Sequence, residues 1–153
     1  MYLNSAGPYL IPNIPLADGT AGVLEEIDIG ATAADHGEMI CVKACTIKRL
    51  MFVLVGELAG GTTTAPTVVF KKRITPLSAT GETDLGTLTI PDATAIGIVV
   101  YKDITPVNLA VGDSIEIAHT VGVGTPTGKG FWAVEIDDHP DDARNNSGML
   151  KSA

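Results

Sequence analysis

Through most of this chain apolar residues recur at every second position, in short runs separated by Gly, Pro and Asp, a pattern that predicts strands rather than helices. Residues 23–29 place Val23, Ile27 and Ile29 on one parity, interrupted by Glu25. After a polar loop over residues 31–38, a β block runs from residue 39 to 58. Within it residues 50–55 are apolar on both parities, as in a central strand covered on both sides. Residues 66–74 carry Val68 and Phe70 on one face. Residues 83–90 change parity at Gly86, with Leu85 on one side and Leu88 and Ile90 on the other, and a β-bulge at Gly86 accounts for that switch.

The second half continues in the same manner. Residues 97–104 are apolar on both faces through Ile98, Val99, Val100 and Tyr101. A loop over residues 106–113 ends in Val111-Gly112-Asp113 and delivers residues 114–121 as a strand, with Ile115, Ile117 and Val121 facing one way. The last strand, residues 130–138, turns Trp132, Val134 and Ile136 inward and Phe131 outward. The expected fold is all-β: an antiparallel β-sandwich of seven or eight strands, with turn signals at the spacing of a sandwich or barrel. Three segments follow: an extended N-terminal arm over residues 1–22, the sandwich domain over 23–138 and a polar C-terminal tail over 139–153. The arm carries Pro8, Pro12 and Pro15, which block helix but not an extended course. It also carries Tyr2, Leu3, Tyr9, Leu10, Ile11, Ile14 and Leu16, too apolar for a solvated tail, so it packs on the domain or on a neighbouring subunit.

Composition narrows the function more than it defines it. At 153 residues the chain is long enough to bury about 68–70 % of its unfolded surface without a metal or disulfide staple. A formal net charge of −8 disfavours nucleic acid as a partner. The one basic run, Lys71, Lys72 and Arg73, alternates across a strand and reads as a solvated strand end. No stretch is long enough for a membrane span, and residues 1–12 lack the pattern of a secretory signal. Cys41 and Cys45, if both lie in one strand, stand roughly 13 Å apart and remain free thiols.

A search for catalytic or ligand-binding chemistry returns bland readings. His36 and His139 lie in acidic loops without metal-ligand spacing, and His119 shares the inward parity of Ile115 and Ile117. The serines lack a nucleophile elbow. The loop around Gly124-Thr125-Pro126-Thr127-Gly128-Lys129 leads into a strand rather than into the helix that a phosphate loop needs. No cofactor, metal or catalytic residue is expected, and the chain reads as no enzyme.

Residues 84–91, 97–103 and 109–117 (Asp84-Leu85-Gly86-Thr87-Leu88-Thr89-Ile90-Pro91, Gly97 to Asp103, and Leu109-Ala110-Val111-Gly112-Asp113 to Ile117) resemble the second half of tailed-bacteriophage capsid decoration, or cement, proteins. The similarity covers roughly residues 40–138 and rests on strand and turn order. It implies a jelly-roll-like subunit, a homodimer or homotrimer, made in the host cytoplasm and held on the outer capsid surface by the major capsid protein. Contact residues on that reading are Tyr2, Leu3, Tyr9, Leu10, Ile11, Ile14 and Leu16 of the arm together with Phe131. The alternative is a host-receptor or carbohydrate-binding β-domain of a virion fibre.

Overall fold

The computed structural model describes residues 10–13, 26–30, 34–35, 38–41, 44–59, 64–76, 78, 81–124, 127–137 and 149–151. Among them there is no helix, and the strands are β1 (Leu10–Asn13), β2 (Ile27–Asp28), β3 (Ala34–Asp35), β4 (Glu38–Cys41), β5 (Cys45–Ala59), β6 (Thr67–Arg73), β7 (Thr83–Thr89), β8 (Val99–Leu109), β9 (Ser114–Thr120), β10 (Thr127–Asp137) and β11 (Met149–Lys151). They form two sheets. Sheet A has the order β1-β4-β9-β6-β7, with β3 also on β9, and sheet B has the order β11-β8-β5-β10-β2.

The pairings are nested. β6 pairs with β7, β5 with β8, β4 with β9 and β2 with β10, all antiparallel. Four strands therefore pair with the next four in reverse order, alternating between two packed sheets, which is the eight-stranded jelly roll. The expectation of an antiparallel sandwich with seven or eight strands holds for this unit. Three short strands extend it at its edges: β1 on β4, β3 on β9, and β11, which runs parallel to β8 at Val99–Tyr101.

Period-2 alternation places the core. Sheet A contributes Val68, Phe70, Leu88, Ile115 and Ile117, and sheet B contributes Leu50, Phe52, Leu54, Val100 and Ile27, all fully or almost fully buried. Trp132 faces inward and meets Phe70 edge to face, with ring centroids 5.8 Å apart at 82°. His119 is buried on the same parity as Ile117, as its position predicts. The bulge expected at Gly86 is present: Phe70 pairs with Gly86 and Lys71 with Asp84, so Leu85 is the extra residue and turns toward the core. The turn before β9 works as its sequence suggests. Gly112 adopts φ +95°, and the Asp113 carboxylate accepts the Ala110 N–H at 2.9 Å.

Several expectations change. The block over residues 39–58 is two strands in different sheets, because the chain crosses from β4 in sheet A to β5 in sheet B between Cys41 and Cys45. The two sulfurs therefore lie 4.0 Å apart rather than 13 Å, and neither is in a disulfide. The segment expected as a loop from residue 106 belongs to β8 as far as Leu109, with Pro106 inside the strand. Pro106 is tolerated because Ile104, Thr105 and Pro106 lie in the register shift between Asp103↔Arg49 and Val107↔Ile47, and β11 covers the far edge only at Val99–Tyr101. The polar loop over residues 31–38 contributes β3, and of the strand expected at 23–29 the structure describes Ile27–Asp28 as strand.

Gly130 of β10 pairs with Leu54 of β5 where there is no room for a side chain. A Cβ built there would overlap the Phe52 ring and the Val53 carbonyl oxygen, and neither backbone nor packed ring can retreat. Gly130→Ala is expected to lower unfolding stability by about 3 kcal/mol, measured as a lower urea midpoint at unchanged slope.

Candidate binding face

The outward faces of the two sheets differ in chemistry. On sheet B the register aligns three rows across β8, β5 and β10: Val99–Val53–Phe131, then Tyr101–Met51–Ala133, then Asp103–Arg49–Glu135. Two rows are apolar, and Val55 extends them at 39 % exposure. This accounts for the runs at residues 50–55 and 98–101 that are apolar on both parities. One parity enters the core, while the other faces away from sheet A and is half-buried at Met51, Val53, Val99 and Phe131. The sandwich has two layers, so no third layer of strands covers this second face among the described residues.

Arg49 closes the patch at one end. Its Nε donates to Asp103 Oδ1 at 2.7 Å, Nη1 lies 3.3 Å from Glu135 Oε2, and the guanidinium sits 4.5 Å over the Tyr101 ring. Sequence parity alone hides this arrangement. Ile47 and Arg49 share a parity, yet Ile47 is core and Arg49 faces outward, because Lys48 is an extra residue opposite β10, where Glu135 pairs with Arg49 and Ile136 with Ile47.

Sheet A carries charge on its outward face. Lys71 and Arg73 of β6 lie opposite Glu116 and Ser114 of β9. Arg73 reaches three carboxylates: Glu38 Oε1 at 2.5 Å, Glu82 Oε2 at 3.2 Å, and Glu116. Glu38 and Glu116 have side chains only 2 % exposed. Burial disfavours the Arg73 cation, but the hydrogen bond to Glu38 and the charges of Glu116 and Glu38 outweigh it and hold its pKa above the ordinary value. Lys71 pairs with Glu82 at 2.6 Å, and Lys72, on the opposite parity, pairs with Asp113 at 2.8 Å. The basic run expected to be a solvated strand end is thus the cationic half of an ion-pair network. Its partners come from β4, β9 and two turns; only Glu82, in the connection to β7, is near in sequence.

An open groove of about 560 Å³ between β7 and β8 is lined by Ile74, Asp84, Leu85, Lys102, Ile104 and Val107, among others. Of the contact residues expected from sequence, Phe131 lies in the apolar rows of sheet B, beside Val53. Leu10 and Ile11 belong to β1 and pair with Cys41 and Ile40 at the opposite sheet. Tyr2, Leu3, Tyr9, Ile14 and Leu16 lie outside the described residues, as do His36, Asp138 and His139. Met51, Val53, Val55 and Val99 escaped the sequence reading as candidates, although their apolar double parity was the signal that marks them. Among the described residues no group of three or more His, Cys, Asp or Glu converges on a metal position. No family model, curated protein or solved structure matches this chain.

Two predictions follow from the sheet A network. Arg73→Met leaves two buried carboxylates without their cation and is expected to cost about 3–5 kcal/mol of unfolding stability, read from urea denaturation at pH 7. The second concerns acid. The hydrogen bond from Lys71 holds Glu82 below the usual carboxylate range. Burial pushes Asp113 up, but the Lys72 hydrogen bond and the Ala110 amide outweigh it and hold this carboxylate low as well. Both pKa values are lower folded than unfolded, so the unfolded chain binds more protons. The stabilisation is present above the ordinary carboxylate pKa and is lost as pH falls through the depressed folded values. Thermal melts from pH 6 downward are expected to show a falling midpoint below about pH 4, with a shallower fall in the Glu82→Gln, Asp113→Asn double variant.

Proposed function

We propose that this protein is a structural virion component, a decoration or cement protein that binds the outer capsid surface of a tailed bacteriophage and stabilises contacts between major capsid proteins. The observation that carries the reading is the apolar outward face of sheet B, where Val53, Met51, Val99 and Phe131 form adjacent rows on a rigid central sheet. A surface of that kind is what a permanent partner covers. The jelly roll agrees with the fold that the resemblance implies, and an acidic chain of net charge −8 suits the outside of a DNA-filled shell. The Pro-rich arm supplies a second contact. Its strand β1 already pairs along β4, the way an extended arm adds to a sheet edge. Burial on a neighbour contributes about 25 cal/mol per Å² of apolar surface, and a symmetric shell repeats the contact many times. The subunit acts as a homodimer or homotrimer, without cofactor and without catalysis.

Sugar binding by a fibre domain is the competing function, and no observation favours it. Trp132, the aromatic a sugar platform would need, is turned onto Phe70. A glycan array probed with the isolated protein is expected to stay blank, and selective glycan binding would move the assignment to a fibre domain.

Binding to undecorated capsids tests the proposal directly. The intact chain is expected to saturate them, Val53→Asp and Phe131→Asp to lower affinity at least tenfold while melting cooperatively, and deletion of residues 1–16 to reduce occupancy. Absence of binding by the intact chain removes the capsid function. Undiminished occupancy after the deletion removes only the arm.

A further inference from the structure

Cys41 and Cys45 meet where the chain passes from one sheet to the other. Cys41 ends β4 in sheet A and is fully buried; Cys45 begins β5 in sheet B and is half-buried. Their sulfurs are 4.0 Å apart, closed by three intervening residues. Leu109 meets both of them. It pairs with Cys45 in the β5–β8 ladder, and its carbonyl accepts a weak hydrogen bond from the Cys41 thiol at 3.9 Å. The backbone of Cys41 also grips the turn that follows: its N–H donates to Asp113 O and its carbonyl accepts from Gly112 N–H, both at 2.8 Å. One residue thus joins β4, the end of β8 and the turn carrying Val111, which is 67 % exposed.

We propose that Cys41 and Cys45 form a dithiol–disulfide couple that clasps this end of the sandwich, open in a reducing medium and closed in an oxidising one. The bond needs the sulfurs, 4.0 Å apart, to approach by about 2 Å. With oxidised glutathione as the oxidant, the thiolate of Cys45, the more accessible sulfur, attacks the glutathione disulfide, forming a mixed disulfide and releasing one glutathione thiolate. The Cys41 thiolate then attacks the Cys45 sulfur and expels the second. Two protein thiols become one disulfide, and two electrons and two protons pass to two glutathione molecules. Closure replaces the thiol–thiol contact by a covalent bond and removes the weak hydrogen bond from the Cys41 S–H to the Leu109 carbonyl. Burial, then the neighbouring Cys41, pushes the Cys45 thiol up to about 12, which keeps the reduced pair slow to react rather than unable to. The clasp is independent of what the outward face of sheet B binds.

The test takes the full chain, reduced, and equilibrates it with oxidised glutathione in buffer and in mild urea. After acid quench, alkylation and digestion, the expected product is a single Cys41–Cys45 linked peptide pair, two hydrogens lighter, with neither thiol alkylated. Cys45→Ser should gain at most one glutathione adduct. In the oxidised chain amide exchange at Cys41 and Gly112 should slow several-fold, since both hydrogen bonds anchor on Cys41, which the new bond ties to β5. Two alkylatable thiols after equilibration in both media, or bonds only between chains, would overturn the couple. A bond that leaves those amides exchanging at the reduced rate would overturn the clasp.

Discussion

The apolar outward face of sheet B follows from the position of β5 in the nested pairing. Because β5 pairs with β8 on one side and β10 on the other, it runs through the middle of sheet B for fifteen residues, and its alternate side chains enter two different environments. Leu50, Phe52 and Leu54 face sheet A and are buried. Met51, Val53 and Val55 face away from it. A two-layer sandwich covers one face of each sheet, and here the other face of the central strands is also apolar. Met51 and Val53 are half-buried there, so each realises only part of the about 1.5–3 kcal/mol that full burial of a large apolar side chain contributes.

Sheet A follows the opposite arrangement. Its outward face holds charge, but the charge is satisfied within the chain: Arg73 gathers Glu38, Glu82 and Glu116, and Lys71 and Lys72 are each held by a carboxylate. Such a network fixes β4, β6 and β9 in register. Removing the cation costs much more than the intact pairs contribute, because desolvated carboxylates remain behind. On sheet B the charged row Asp103–Arg49–Glu135 marks one end of the apolar rows, and Lys129, paired with Asp28 and bonded to Glu26, marks the other. The two outward faces thus differ: that of sheet A is held by ion pairs, and that of sheet B is mainly apolar.

Features governed by local periodicity were legible in the sequence, and features governed by long-range pairing were not. Alternation put Trp132 and His119 inward and Phe131 outward, the parity switch located the bulge at Gly86, and Gly112-Asp113 announced its turn. The crossing between Cys41 and Cys45 left no signal, because neither Gly nor Pro stands between them and the flanking residues continue a β-like pattern. Pro106 signalled a break that the register shift of β8 absorbs. The partners of Arg73 come from strands 35 and 43 residues away in sequence, at Glu38 and Glu116, which only the sheet order brings together. For the apolar outward face of sheet B the signal was present in the double parity of residues 50–55, but in sequence a strand covered on both faces and one covered on a single face look alike.

Hydroxyl-radical footprinting of the chain, free and on undecorated capsids, tests the central claim most directly, because it reads side-chain exposure residue by residue. The account predicts that labelling of Met51, Val53 and Phe131 falls several-fold on the capsid, while Val111 and Ile74 at the opposite end of the sandwich label as before. Equal labelling of the sheet B rows in the free and bound states would contradict it.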